Sequence, residues 1–63
     1  SLRFRRSIYL TRNVKKGERI SPKHIKIIRP SLGEHPRYYN YLIGKRVKKN
    51  LKKNTPIKRE YVK

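Results

Sequence analysis

Arg29 is the side chain best placed to do chemistry. It stands between an apolar pair and a proline in the stretch Ile27-Ile28-Arg29-Pro30-Ser31-Leu32-Gly33-Glu34-His35-Pro36. A guanidinium offers five donors in a fixed fork and suits a carboxylate, a phosphate or an amide carbonyl. The proline that follows braces the backbone, so less freedom is lost on binding. Three acids, Glu18, Glu34 and Glu60, stand against twenty Lys and Arg. An arginine left waiting for an outside acceptor is therefore expected. The plain alternative is a surface arginine in an ordinary ion pair.

Catalysis by this chain alone is not expected. It has no Asp and no Cys, and its three Glu lie far apart in or beside turns, so no carboxylate pair forms. His24 and His35 lack company at metal-ligand spacing, and no metal site is expected. His24 reads as a surface or internally satisfied residue, and His35 as a helix-entry residue before Pro36. No glycine motif that cradles phosphates is present. Arg37-Tyr38-Tyr39-Asn40-Tyr41 interleaves base and aromatics, a pattern that can stack on nucleotides. At helical spacing Tyr39 joins Leu42 and Ile43 on a core face, and core plus amphipathic cover is the favoured reading.

Composition sets the frame for these residues. Sixty-three residues make one domain, and a chain of this size hides only about 60% of its unfolded surface. The absence of Cys fits a reducing, cytoplasmic compartment. No apolar run approaches the roughly 20 residues of a membrane span. Ser1 to Arg6 leads straight into a strand-like run with no signal-peptide pattern, as expected of a domain cut from a longer chain. The net charge of +17 draws polyanions. Nucleic acid is the default partner for so basic a chain. A solvated lysine-rich surface or an acidic partner is the alternative.

The elements that must hold Arg29 are short. Phe4 to Thr11 predicts an edge-like strand, with Ile8 and Leu10 on one face and Ser7, Tyr9 and Thr11 on the other. Lys15-Lys16-Gly17-Glu18 is a turn between Val14 and Ile20, and Gly17 is free to take positive φ. Ser21-Pro22-Lys23-His24-Ile25 carries a helix-start signature too short for more than a 3₁₀ piece. Lys26 to Ile28 is a second strand, ended by Arg29-Pro30. Ser31 to His35 is loop. Pro36 to Ile43 predicts a helix of about two turns, closed by Gly44. Lys45 to Val47 predicts a short strand, Lys48 to Asn54 a turn, and Lys58 to Val62 a last helical turn or strand.

Asn13-Val14-Lys15-Lys16-Gly17 repeats as Asn50-Leu51-Lys52-Lys53-Asn54. Gly and Asn are the residues that most readily take left-handed geometry, so one turn serves both. At the same offset Ile20 faces Ile57 and Ile25 faces Val62. The repeat predicts a pseudo-twofold domain with basic residues spread around it. The run Lys45 to Lys53 resembles a phosphate-binding stretch, but Val47 and Leu51 make it a half-buried strand and turn.

An ordered motif set runs through the chain: Arg6-Ser7-Ile8, Val14 to Glu18, Ile28-Arg29-Pro30 with Gly33 and His35-Pro36, Leu42 to Lys45, Leu51 to Lys53, and Thr55-Pro56-Ile57. It resembles the C-terminal SAF, or antifreeze-like, domain of sialic acid and pseudaminic acid (nonulosonate) synthases. The resemblance covers essentially all of residues 1–63. It implies a mostly β, pseudo-twofold β-clip fold with short 3₁₀ turns. It implies a parent enzyme that condenses phosphoenolpyruvate with an N-acetylated aminosugar. Catalysis and a divalent metal, Mn or Mg, would belong to an N-terminal (β/α)₈ barrel. The SAF domain would reach across a domain-swapped homodimer to cover the partner's active site. Arg29 would bind the sugar, with Ser31 and Gly33 in its loop. Ser31 stands where the family usually has Gly. The same fold resembles type III antifreeze proteins, whose flat, weakly polar surface a +17 chain does not suit. SAF domains of flagellar and pilus assembly proteins are a further alternative.

Overall fold

The computed structural model describes residues 5–63. Arg3 and the expected strand start at Phe4 lie outside them. Strand β1, Ser7–Leu10, crosses the middle of the molecule and pairs antiparallel with β2, Ile25–Ile28. Ser7 stands opposite Ile28 and Leu10 opposite Ile25. The expected edge position of β1 is corrected. On its other side Ile8 donates its N–H to the Glu34 carbonyl at 3.0 Å. Ile57 donates to Ile8 at 3.0 Å, and Leu10 donates to Thr55 at 3.0 Å. With both edges used, all four β1 residues are buried, including Ser7 and Tyr9 on the face opposite Ile8 and Leu10.

Ile8, Leu10, Val14, Ile20, Ile25, Leu42, Val47, Leu51, Ile57 and Val62 form the core. Burying each such side chain stabilises the fold by roughly 1.5–3 kcal/mol. Regular strand is limited to β1 and β2 among the described residues. The expected strand at Lys45 to Val47 is instead two isolated bridges, Arg19 with Arg46 and Val47 with Val62. The segments are too short and too turn-bound to extend a ladder.

Pro22–His24 forms the expected 3₁₀ turn. Its His24 is buried, which removes the surface reading and keeps the satisfied one. His24 Nδ1 accepts from the Ser21 N–H at 2.9 Å and lies 2.8 Å from Ser21 Oγ, while Nε2 faces Glu18 Oε2 at 3.3 Å. The Lys15 N–H, and then His24, hold the Glu18 carboxyl below its ordinary value of 4.5. The expected two-turn helix is a 3₁₀ turn, Pro36–Tyr38, running into one α-turn, α1, Tyr39–Leu42. So short a piece is held by packing: Leu42 is buried, with Tyr39 and Ile43 against the core. Gly44, at φ +84°, ends it. His35 serves helix entry, its Nδ1 accepting the Arg37 N–H at 3.0 Å.

The two Lys-Lys turns lie against each other. Val14 and Leu51 exchange both backbone hydrogen bonds at 2.8 Å. Asn50 Oδ1 accepts the Lys16 N–H at 2.8 Å, and Asn13 Oδ1 accepts the Lys53 N–H at 2.8 Å. Gly17 and Asn54 both take positive φ, +86° and +69°. The turns Pro22–His24 and Arg59–Tyr61 occupy matching places in the two halves. Val14 and Leu51 pair antiparallel, so Lys15-Lys16 and Lys52-Lys53 leave the pair on its opposite sides, and all four are exposed, in line with basic residues spread around the domain.

Candidate functional site

The Arg29 loop leaves the sheet where β2 ends, beside Ser7 at the start of β1. Arg29 is exposed. Its guanidinium makes no hydrogen bond or ion pair with the described residues. It borders an open surface hollow of about 380 Å³ that Arg6, Ile27 and Ile28 also line. Ile27 and Ile28 are 38% and 37% exposed, large fractions for a strand in so small a core. The hollow thus has two cations and two aliphatic walls. It suits a ligand with polar oxygens beside a small apolar group.

The backbone under Arg29 is firmly held. The Pro30 carbonyl accepts from Tyr9 Oη at 2.8 Å, Ser7 Oγ at 3.1 Å and the Leu32 N–H at 2.9 Å. Ser7 Oγ in turn accepts the Gly33 N–H at 3.0 Å. The far limb is fixed by Glu34, whose N–H donates to the Ile57 carbonyl at 2.8 Å. Its carboxylate takes the Arg59 N–H at 2.8 Å and pairs with the Arg59 guanidinium at 3.3 Å. Between these anchors the tip projects, with Ser31 half-buried and Leu32 59% exposed.

Arg29, Ser31 and Gly33 thus share one loop, but Gly33 sits at its base, packed on β1 rather than open to the hollow. Sequence reasoning missed Ser7 and Tyr9 as loop anchors, and Arg6 as a wall of the hollow. Two hydroxyls two positions apart in an otherwise aliphatic strand were the available signal. His24 and His35 are engaged in local hydrogen bonds away from the hollow. Among the described residues no group of His, Cys, Asp or Glu is suited to hold a metal ion. No helix among them is long and apolar enough to cross a membrane. Tyr38 and Tyr41 hold the chain's own cations against their rings, and Tyr41 stays 48% exposed. Arg59 lies 4.0 Å from the Tyr38 ring centre and Lys45 4.8 Å from that of Tyr41.

Residues 5–62 match the family model described as the SAF domain. The chain belongs to the SAF domain family. This SAF domain is similar to part of the pseudaminic acid synthase of Helicobacter pylori, at 41% identity over 54 residues. It is similar to that of Campylobacter jejuni at 42% over 55 residues. The matches cover 86% and 87% of the SAF domain but 16% of either relative. An antifreeze-protein-like domain of human N-acetylneuraminic acid phosphate synthase shares its fold, with a TM-score of 0.85 at 19% identity. That match covers 90% of this chain and 73% of that one. A spore coat polysaccharide biosynthesis protein of Bacillus subtilis matches with a TM-score of 0.75 at 33% identity, over 82% of this chain and 16% of that one. The SAF domain is thus related to the corresponding part of pseudaminic acid synthases.

Proposed function

We propose that this SAF domain caps the active site of a pseudaminic- or sialic-acid-type synthase, and that Arg29 binds the aminosugar there. The observation that carries the reading is an exposed arginine, unpaired among the described residues, on a pinned loop beside two exposed isoleucines. An N-acetylated sugar presents what such a place recognises. Its amide carbonyl and hydroxyls accept from the guanidinium, and its acetyl methyl finds the Ile27 and Ile28 walls. Ser31 and Gly33 shape the loop around Arg29. In this reading the chain does no bond-making. A (β/α)₈ barrel elsewhere in the parent chain supplies the catalytic groups and the divalent metal that condense phosphoenolpyruvate with the sugar. The domain reaches the barrel of the partner subunit in a domain-swapped homodimer, in the cytoplasm. The β-clip description of the fold belongs to the same reading and is supported by the matched turns of the two halves.

The test is made in the full-length protein. Losing a charged hydrogen bond to a bound ligand weakens binding roughly 10- to 100-fold. Arg29→Ala is expected to raise the KM for the aminosugar by about that factor, with the KM for phosphoenolpyruvate little changed. Unchanged sugar kinetics would refute the assignment. The rival reading, a nucleic-acid-binding module, draws on the +17 charge. Tyr38 and Tyr41 already hold the chain's own cations against their rings, which leaves them less free to stack on bases.

A further inference from the structure

We infer that Ser7 and Tyr9 are positioning residues for Arg29, their two hydroxyls converging on the Pro30 carbonyl to set where the guanidinium stands. The inference rests on the capping reading above. Three donors meet that one oxygen: Tyr9 Oη at 2.8 Å, Ser7 Oγ at 3.1 Å and the Leu32 N–H at 2.9 Å. A carbonyl has two lone pairs, so this acceptor is used beyond the ordinary. Ser7 Oγ also accepts the Gly33 N–H at 3.0 Å, so one hydroxyl ties both limbs of the loop together.

The burial of these hydroxyls needs a reason. Ser7 is 0% and Tyr9 6% exposed. A buried hydroxyl costs free energy unless it is hydrogen-bonded, and Ala and Phe would pack the same places without that cost. What the hydroxyls accomplish is local. Ser7 pairs with Ile28 across the sheet, which fixes the backbone before Arg29. Its side chain, with that of Tyr9, grips the carbonyl of the residue after Arg29. The arginine is therefore held on both sides by the same strand. Its own side chain stays free for a ligand, so binding does not also have to order the backbone.

The experiment is a kinetic cycle in the full-length protein with Tyr9→Phe, Ser7→Ala and Arg29→Ala, alone and combined. Each hydroxyl deletion is expected to raise the aminosugar KM roughly three- to tenfold and to leave the KM for phosphoenolpyruvate and kcat near their starting values. In the Arg29→Ala background the same deletions should change the sugar KM no further, because they act through Arg29. A purely structural role predicts equal effects in both backgrounds, and that result would overturn the inference. So would an unchanged KM for both deletions with Arg29 present. If Arg29→Ala is itself silent, the capping reading falls and takes this inference with it. Hydrogen exchange gives a readout independent of activity. The Leu32 and Gly33 amides should exchange faster in Ser7→Ala, and unchanged protection there would also count against the clamp.

Discussion

Gly33 has no side chain because none fits. A Cβ there would stand 2.5 Å from the Ile8 carbonyl oxygen and 3.0 Å from the backbone N and O of Ile57. Those atoms carry the Ile57-to-Ile8 hydrogen bond that closes the free side of β1, so neither partner can move aside without breaking the sheet. What requires glycine at this position is the close approach of two backbones. Gly33→Ala is expected to lower unfolding stability by about 1–3 kcal/mol, the usual cost of overpacking. Denaturant unfolding at constant m-value is the check. Arg29→Ala, on an exposed side chain with no internal partner among the described residues, should stay within about 0.5 kcal/mol of the parent. The pair of results would separate a residue that builds the loop from one that the loop presents. Equal losses in both variants would mean that Arg29 is structural after all.

At the scale of elements, the twin turns show what the sequence could and could not say. Asn13 and Asn50 mark the start of the repeat, and each caps the other half's turn rather than its own. Spacing revealed that the turns are alike; it could not reveal that they meet, because contact between segments is a tertiary fact. The same gap explains β1. Alternation put Ile8 and Leu10 on one face and Ser7 and Tyr9 on the other, and could not say that both faces are buried. The loop covers the Ser7 and Tyr9 face while the Thr55 to Ile57 segment pairs along the strand, and no periodicity within Phe4 to Thr11 encodes either. Turn chemistry was legible where one residue decides it, as at Gly17, Gly44 and Asn54. Arg29 was legible because a proline and two isoleucines isolate it, whereas its support comes from a strand more than twenty positions earlier. Asn13→Ala and Asn50→Ala should each lower stability by roughly 0.5–1.5 kcal/mol, the worth of one hydrogen bond. Because both bonds flank the Val14–Leu51 pair, the double variant should lose measurably less or more than the sum. Strict additivity would argue that the two turns hold independently.

For the whole molecule the governing quantity is charge. A net +17 on 63 residues repels itself in the compact state more than in the expanded one. Lys15, Lys16, Lys52 and Lys53 are all exposed and follow the Val14–Leu51 pair on its two sides. Attractive pairs do little to offset the repulsion. Among the described residues Arg59 pairs with Glu34 at 3.3 Å, and an exposed pair contributes about 0–1 kcal/mol. Added salt screens both kinds of interaction, with a screening length falling from about 10 Å at 0.1 M to about 3 Å at 1 M. Repulsion is the larger sum here, so sodium chloride should raise the thermal midpoint. In a domain this size about 1 kcal/mol moves it by roughly 4–8 °C. Sodium chloride is the right salt, because sulfate strengthens apolar burial as well. Lys16→Glu and Lys53→Glu test the origin. Each should raise the midpoint at low salt and flatten its salt dependence. A midpoint that falls with salt, or one that neither substitution raises, would show that self-repulsion does not govern stability. The positive charge would then bear on function rather than on stability, and its place would have to be sought at the Arg6 and Arg29 hollow.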